Sequence, residues 1–136
     1  GPGLSALSAL PLDADDVRLV DALNLTTLNF RPGSSELTGD SLQTVAAIAT
    51  ALRAAPGTTR LQVAAHTDNT GNAEANLRLS QQRAAEVPQA LLAQGVPPAM
   101  LVPVGHGQEQ PVADNRSESG RAQNRRIAYQ LLENAP

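Results

Sequence analysis

An acidic and a basic residue lie close together in the middle of the chain, and their types suggest a binding chemistry. Asp68 falls in a turn rich in asparagine and glycine that directly follows an apolar segment. Arg83 comes fifteen residues later, in an amphipathic segment. A carboxylate and a planar guanidinium near one loop suit a zwitterionic ligand that carries both an amine and a carboxylate.

A structural role remains an alternative for both residues. Asp68 could cap the turn by accepting backbone N–H groups, as aspartate often does in loops. Arg83 follows Ser80, the expected N-cap of a helix, so its cation would oppose the helix dipole at a cost of about 0.3–1 kcal/mol. That placement favours a bound anion at Arg83, although pairing with Asp68 or contact with solvent would also account for it.

The elements that must position these residues follow from the apolar periodicity of the chain. Alternating or β-branched apolar residues predict four strands, at residues 25–30, 60–65, 100–106 and 127–131. Helical spacing predicts two helices and a short helical turn, at residues 40–55, 80–95 and 117–124. The order β-α-β-α-β-(α)-β predicts an α/β sandwich, in which helices pack on one face of a mixed sheet of about four strands.

Three local features refine this outline. Asp40 and Gln43 resemble a capping box at the start of the first helix. Pro88 lies inside the second helix, where it removes a hydrogen bond and should kink the helix. Pro103 lacks a backbone N–H, which predicts that the third strand lies at an edge of the sheet or carries a bulge.

The N-terminal part, residues 1–24, is predicted to be a linker or extension before a domain at residues 25–133. Residues 1–12 are rich in glycine, proline, serine and alanine, which is typical of a poorly ordered arm. The acidic residues at 13–16 could cap a short helix. The first two residues are typical of a protease-cleavage scar, so we expect any targeting or anchoring segment to lie outside this chain.

Composition excludes several classes of partner. The chain has 136 residues, a net charge of −3, one Phe, one Tyr and no Trp. Scarce aromatic residues and negative charge argue against nucleic-acid binding, which relies on stacking platforms and basic surfaces. The chain contains no cysteine, so it has no thiolate metal site and no thiol nucleophile. All basic residues are arginine, and no apolar run approaches the ~20 residues that span a membrane.

A metal-dependent enzyme is the main catalytic alternative. His66 and Asp68 share one strand face and His106 ends another strand, so a His/His/Asp metal site is conceivable. The spacing matches no HExxH-type motif, which makes this signal weak. A serine nucleophile would need a G-x-S-x-G segment, which the sequence lacks. We therefore expect no catalytic residue, no metal and no other cofactor.

The sequence resembles the OmpA C-terminal-like family, which includes Pal lipoproteins and the MotB flagellar stator. The family pattern is a Phe-ending strand, a G-H-T-D-x-x-G turn, an N-x-x-L-S-x-x-R-A segment, a G-x-x-x-P loop and a G-R-x-x-N-R-R segment. The matching residues are Asn29, Phe30, Ala65, His66, Thr67, Asp68, Gly71, Asn76, Leu79, Ser80, Arg83, Ala84, Gly107, Pro111, Gly120, Arg121, Asn124, Arg125 and Arg126. Together they cover about residues 25–132, and so many fixed spacings at once are specific.

This resemblance implies a protein that binds peptidoglycan, without catalysis, through the meso-diaminopimelate of the stem peptide. By position, Asp68 would accept hydrogen bonds from the ligand ammonium, and Arg83 would clamp the ligand carboxylate. Thr67 and Asn76 match positions that line the pocket. Arg125 would lie beside the pocket and support the anion.

The resemblance also implies a location and partners. The expected location is the periplasm, associated with the cell wall and outer membrane through a segment outside this chain, with envelope proteins as further partners. Two residues depart from the family pattern: Ala65 replaces a glycine, and Arg31 stands where a small polar residue or Asp is usual. The alternative is therefore an interaction module of a secretion system or stator that kept the fold but has weak or lost peptidoglycan binding.

Overall fold

A computed structural model of the chain describes residues 1–11 and 13–132. The predicted domain limit at residue 133, and Leu12 of the predicted linker, lie outside these residues. In chain order, the elements are α1 (Pro2–Ser8), α2 (Asp16–Leu23), α3 (Gly39–Ala54), β1 (Leu61–His66), α4 (Ala73–Ala93), a 3₁₀ turn (Pro98–Met100), β2 (Leu101–Gly107), α5 (Glu118–Asn124) and β3 (Arg126–Leu131). None of the described helices is both long and apolar enough to cross a membrane.

The strands form one mixed sheet in the order β2-β1-β3. Strand β2 runs parallel to β1, with Leu101 opposite Leu61. Strand β3 runs antiparallel to β1, with Leu131 opposite Leu61. The predicted fold class, a mixed sheet packed with helices, is confirmed. Pro103 lies on β2 at an edge of this sheet, as its missing N–H predicted.

The core is aliphatic, as the scarcity of aromatic residues requires. It lies between the helices and one face of the sheet. Six of its largest fully buried side chains are Ile48, Leu52, Leu61, Val63, Val87 and Leu91. Burying a side chain of this size contributes about 1.5–3 kcal/mol. Helices α3 and α4 are thereby fixed against the strands that carry the functional residues.

Residues 25–30 do not form the predicted first strand. An isolated bridge between Phe30 and Leu37 is the pairing that this segment makes. The side chain of Asn24 accepts the N–H of Tyr129 at 2.8 Å and donates to its C=O at 2.9 Å. Asn24 thus occupies the edge of β3 that another strand would use. The described part of the sheet has three strands rather than about four.

Helix α4 begins earlier than predicted. Asn72 caps it by accepting a backbone N–H at 3.0 Å, and the helix continues through Pro88. Ser80, the predicted cap, lies inside the helix, where its hydroxyl donates to the C=O of Leu77. Arg83 therefore lies in the middle of the helix, and the prediction that its cation opposes the helix dipole in the first turn is wrong.

Helices near the N-terminus differ in detail from the predictions. Residues 2–8, predicted to be a linker, form α1, and its Leu7 is buried. The acidic run does cap α2, because Asp15 accepts a backbone N–H at 2.8 Å. Helix α3 is capped by Thr38 rather than by Asp40.

Helix α4 and strand β2 are in backbone contact. A methyl group on Gly105 would lie 2.3 Å from the backbone nitrogen of Gln81, so only glycine fits there. The buried hydroxyl of Ser80 accepts the N–H of Gly107 at 2.8 Å. The C=O of Gly107 in turn accepts the N–H of Thr67 at 2.9 Å. These contacts fix the loop after β1 relative to α4.

Two histidines stack at the ends of β1 and β2. The ring centroids of His66 and His106 are 5.0 Å apart, with an interplanar angle of 25°. His66 is only 6% exposed. Burial, followed by the positive charges of Arg126 and His106, lowers the pKa of His66 from 6.5 to about 4. The imidazole of His66 is therefore neutral near pH 7.

The Ser80→Ala substitution should destabilise the protein by about 1–3 kcal/mol, because it leaves the buried N–H of Gly107 without its acceptor. Urea denaturation of the variant and the wild type measures the difference. Ser119→Ala, at an exposed helical position, is the matched control and should change stability little. Equal midpoints for Ser80→Ala and wild type would contradict the role assigned to this hydroxyl.

Acidification should destabilise the protein through His66. The unfolded chain takes up a proton near pH 6.5, whereas the folded protein resists it until about pH 4. The stability that depends on neutral His66 is complete above pH 6.5 and is lost as the pH falls toward 4, by up to about 3 kcal/mol. Urea denaturation at neutral pH and at about pH 5 measures this loss. The loss should be distinctly smaller in His66→Gln, and equal losses would disprove the assignment.

Candidate functional site

A cleft of about 500 Å³ opens at the carboxyl end of β1. Its walls come from residues 28–33, the loop after β1, α4 and the start of β3. All five residues that the sequence analysis selected line it: Thr67, Asp68, Asn76, Arg83 and Arg125. The carboxyl ends of strands in α/β sheets are common ligand sites, so the cleft is the candidate functional site.

Asp68 uses both of its carboxylate oxygens. Oδ1 accepts the backbone N–H of Thr70 at 2.8 Å, and Oδ2 accepts Nη1 of Arg125 at 2.7 Å. Burial would raise the pKa of Asp68, but the hydrogen bonds from Thr70 and Arg125 outweigh it and hold the pKa below its ordinary value. The side chain therefore caps the loop, as the structural alternative proposed, and also places a permanent negative charge in the cleft.

Arg83 is anchored to the segment at residues 28–34. Its Nε donates to the C=O of Ser34 at 2.8 Å. Its guanidinium carbon lies 5.1 Å from the centroid of the Phe30 ring, which is within the range of a cation–π contact. These contacts hold the guanidinium in one place at the wall of the cleft.

No carboxylate of the described residues pairs with Arg83, although its side chain is half-buried. The alternative that Arg83 pairs with Asp68 is wrong, because Asp68 binds Arg125 instead. Burial lowers the pKa of Arg83. A partly desolvated cation without a counter-charge favours the binding of an anion.

Asn76 and Thr67 brace the loop that carries Asp68. Nδ2 of Asn76 donates to the C=O of Thr70 and to Oε1 of Gln108, both at 3.0 Å. The hydroxyl of Thr67 donates to the C=O of Asp68 at 2.8 Å. Both residues line the cleft as expected, and in this structure their hydrogen bonds go to the protein itself.

Arg125 is positioned by a buried asparagine and bridges two carboxylates. Oδ1 of Asn124, which is fully buried, accepts the N–H of Val112 at 2.7 Å and fixes the end of α5. Nη2 of Arg125 donates to Oε1 of Glu118 at 2.7 Å, while Nη1 binds Asp68. The expectation that Arg125 supports a ligand anion stays a prediction, because both of its hydrogen bonds are internal.

Arg126 is a cleft residue that the sequence analysis missed. It donates to the C=O of Asn124 at 3.3 Å and of Gln110 at 3.1 Å. Burial lowers its pKa, and no carboxylate of the described residues pairs with it. The family pattern contains this arginine; the sheet register sets it opposite His66, and both residues also line a second cavity together with His106 and Gln110.

The unusual Arg31 contributes its backbone rather than its charge. Its C=O lies 3.5 Å from Nη2 of Arg83. Its exposed guanidinium pairs with Glu36 at 3.3 Å. The positive charge of Arg31 is therefore offset locally by Glu36.

The charges of the cleft are unequal. The residues that line it include one carboxylate, Asp68, and three arginines, Arg83, Arg125 and Arg126, and the neighbouring His66 is neutral. Such a site favours a ligand that brings a carboxylate, with an amine placed next to Asp68.

The geometry gives no support to the alternative metal site. Among residues 1–11 and 13–132, no group of three or more His, Cys, Asp or Glu side chains could hold a metal ion. His66 and His106 stack on each other, and Asp68 is bound to Arg125. The His/His/Asp combination therefore does not converge on one point.

Known proteins share this sequence and this fold. The pattern of the OmpA family matches residues 29–125. The peptidoglycan-associated lipoprotein of Pseudomonas aeruginosa is 37% identical over 103 residues, which are 76% of this chain and 60% of that protein. The chain spans less than two thirds of the length of the first curated relatives that it matches.

Two solved structures are similar. The peptidoglycan-associated lipoprotein of Burkholderia pseudomallei is 32% identical with a TM-score of 0.64, over 76% of this chain and 87% of that one. The cell wall anchor of the T6SS from Pseudomonas aeruginosa is 31% identical with a TM-score of 0.64, over 74% and 71%. The matched residues 29–125 include nearly all of the cleft, and this chain belongs to the OmpA family.

Proposed function

We propose that the cleft binds peptidoglycan without catalysis, through the meso-diaminopimelate of its stem peptide. The observation that carries this proposal is Arg83, a half-buried guanidinium with no carboxylate partner within residues 1–11 and 13–132, in the same cleft as the ionised Asp68. Binding would anchor a cell-envelope protein to the wall.

The chemistry of the side-chain end of diaminopimelate matches these two groups. Its carboxylate can accept hydrogen bonds from the guanidinium nitrogens of Arg83, and its ammonium can donate to Asp68. Charge-assisted hydrogen bonds of this kind contribute about 1.5–3 kcal/mol each. Many identical stem peptides in one wall would add avidity to a modest affinity for each.

The relatives support this assignment by their names. Two are peptidoglycan-associated lipoproteins, and a third is a cell wall anchor. We infer a periplasmic domain at the cell wall, held to a membrane by a segment outside this chain. An interaction module that has lost peptidoglycan binding is the alternative, and the experiments below separate the two.

Titration of the protein with meso-diaminopimelate, followed by NMR, tests the ligand directly. Saturable shifts are expected around Asp68 and Arg83, because both charges of the ligand find partners there. Nα-acetyl-L-lysine amide is the matched control, since its α-groups are blocked and it presents only the side-chain amine. If diaminopimelate causes no shifts in the cleft, it is not the ligand, and the interaction module is favoured.

Asp68→Asn should weaken binding to purified sacculi about tenfold or more, because it removes the charge that faces the ammonium. Arg83→Gln should do the same by removing the cation that faces the carboxylate. Co-sedimentation with sacculi measures both effects. The amide can still accept the N–H of Thr70, so we expect Asp68→Asn to remain folded.

Matched controls for these variants lie on exposed helix positions. Arg78→Gln makes the same change on α4, and Asp21→Asn makes it on α2. Both should bind sacculi like the wild type, with circular dichroism confirming the fold of all four variants. If Asp68→Asn and Arg83→Gln are folded and still co-sediment with sacculi like the controls, the wall binds at another place on the protein.

A further inference from the structure

Arg125 and a ligand ammonium require the same carboxylate. Oδ2 of Asp68 is 2.7 Å from Nη1 of Arg125, and Oδ1 holds the N–H of Thr70. The side chain of Asp68 is only 13% exposed. An ammonium that approaches this remaining surface meets the positive charge of Arg125, so the two cations compete.

The arginines of the cleft differ in how firmly they are held. Arg83 is half-buried and fixed by a backbone carbonyl and by the Phe30 ring. Arg125 has a side chain that is 41% exposed and a second partner, Glu118, on its outer side. Arg125 can therefore leave Asp68 and stay bound to Glu118 at 2.7 Å, whereas Arg83 stays in place.

We propose that Arg125 is a specificity-determining residue, which masks Asp68 until a ligand brings both an ammonium and a carboxylate. This inference rests on the proposed function. A ligand with only an amine must displace Arg125, leaves Arg83 without a carboxylate, and adds a net positive charge that the displaced Arg125 repels. A ligand with both groups also displaces Arg125, but its carboxylate binds Arg83 and offsets the repulsion between its ammonium and the displaced Arg125, so the charge of Arg125 disfavours it less. Arg125 thus selects against stem peptides that end in a simple amine, and Glu118 receives the displaced guanidinium.

Arg125→Gln tests this role because it keeps much of the side-chain length and removes the charge. NMR titrations of wild type and variant with meso-diaminopimelate and with the α-blocked lysine give four dissociation constants. The ratio that favours diaminopimelate should fall about fivefold to tenfold in the variant, mainly because lysine binds more tightly. Arg116→Gln removes an exposed, ion-paired arginine outside the cleft and should leave the ratio unchanged.

Glu118→Gln supplies a second, opposite test. Without Glu118, the displaced Arg125 has no partner, so diaminopimelate should bind about twofold more weakly. Because Glu118 acts through Arg125, the double variant Arg125→Gln/Glu118→Gln should bind both ligands like Arg125→Gln alone. Independent, additive effects of the two substitutions would contradict the proposed coupling.

The outcomes separate this inference from the proposed function. Wild-type protein that binds neither ligand overturns the proposed function, and the inference with it. Wild-type protein that binds diaminopimelate, with the same selectivity in Arg125→Gln, overturns the inference alone. A third outcome is that Arg125→Gln binds diaminopimelate tenfold more weakly and lysine no more tightly than the wild type does. This would show that Arg125 clamps the ligand carboxylate and does not mask Asp68.

Discussion

The backbone contact between α4 and β2 is the constraint on which the cleft depends. No side chain larger than hydrogen fits at Gly105, and the buried Ser80 ties the helix to the N–H of Gly107. The same helix carries Asn76 and Arg83, and the same strand end holds Thr67. A shift of α4 would therefore separate the cation of the cleft from the loop that carries its anion.

Charge is the second organising feature of the site. Asp68 is held ionised by the N–H of Thr70 and by Arg125, while burial keeps His66 neutral near pH 7. The proposed recognition of a ligand by its charge pattern would therefore need only this small set of side chains. The difference between Arg83, which is half-buried and held by a backbone carbonyl, and Arg125, which is exposed and shared between two carboxylates, could come only from a structure that shows their partners.

The fold class could be predicted from the sequence, and all five residues selected from it line one cleft. Apolar periodicity indicated the core and the strand that Asp68 follows, whereas Thr67, Asn76 and Arg125 were selected through the resemblance to the family. The predictions failed where tertiary contacts decide. From the sequence, a serine that caps a helix cannot be told apart from a serine inside a helix whose hydroxyl donates to a preceding C=O. The start of α4 was therefore predicted at Ser80 instead of at Asn72. Residues 25–30 have the composition of a strand, but Asn24 takes the strand's place beside β3.

Other roles in the motif were invisible for the same reason. Gly120 matches the family pattern, but only the structure shows that a methyl group there would lie 1.8 Å from the C=O of Asp114. The pairing of Arg125 with Asp68 joins residues 57 positions apart, and no local pattern records it.

The side chain of Asn24 also protects the edge of the sheet against aggregation. Sheet edges with free N–H and C=O groups recruit strands from neighbouring molecules, and that recruitment begins aggregation. Asn24 satisfies both backbone groups of Tyr129, in the middle of an edge strand. One amide side chain thus helps to keep neighbouring copies of this domain as separate molecules.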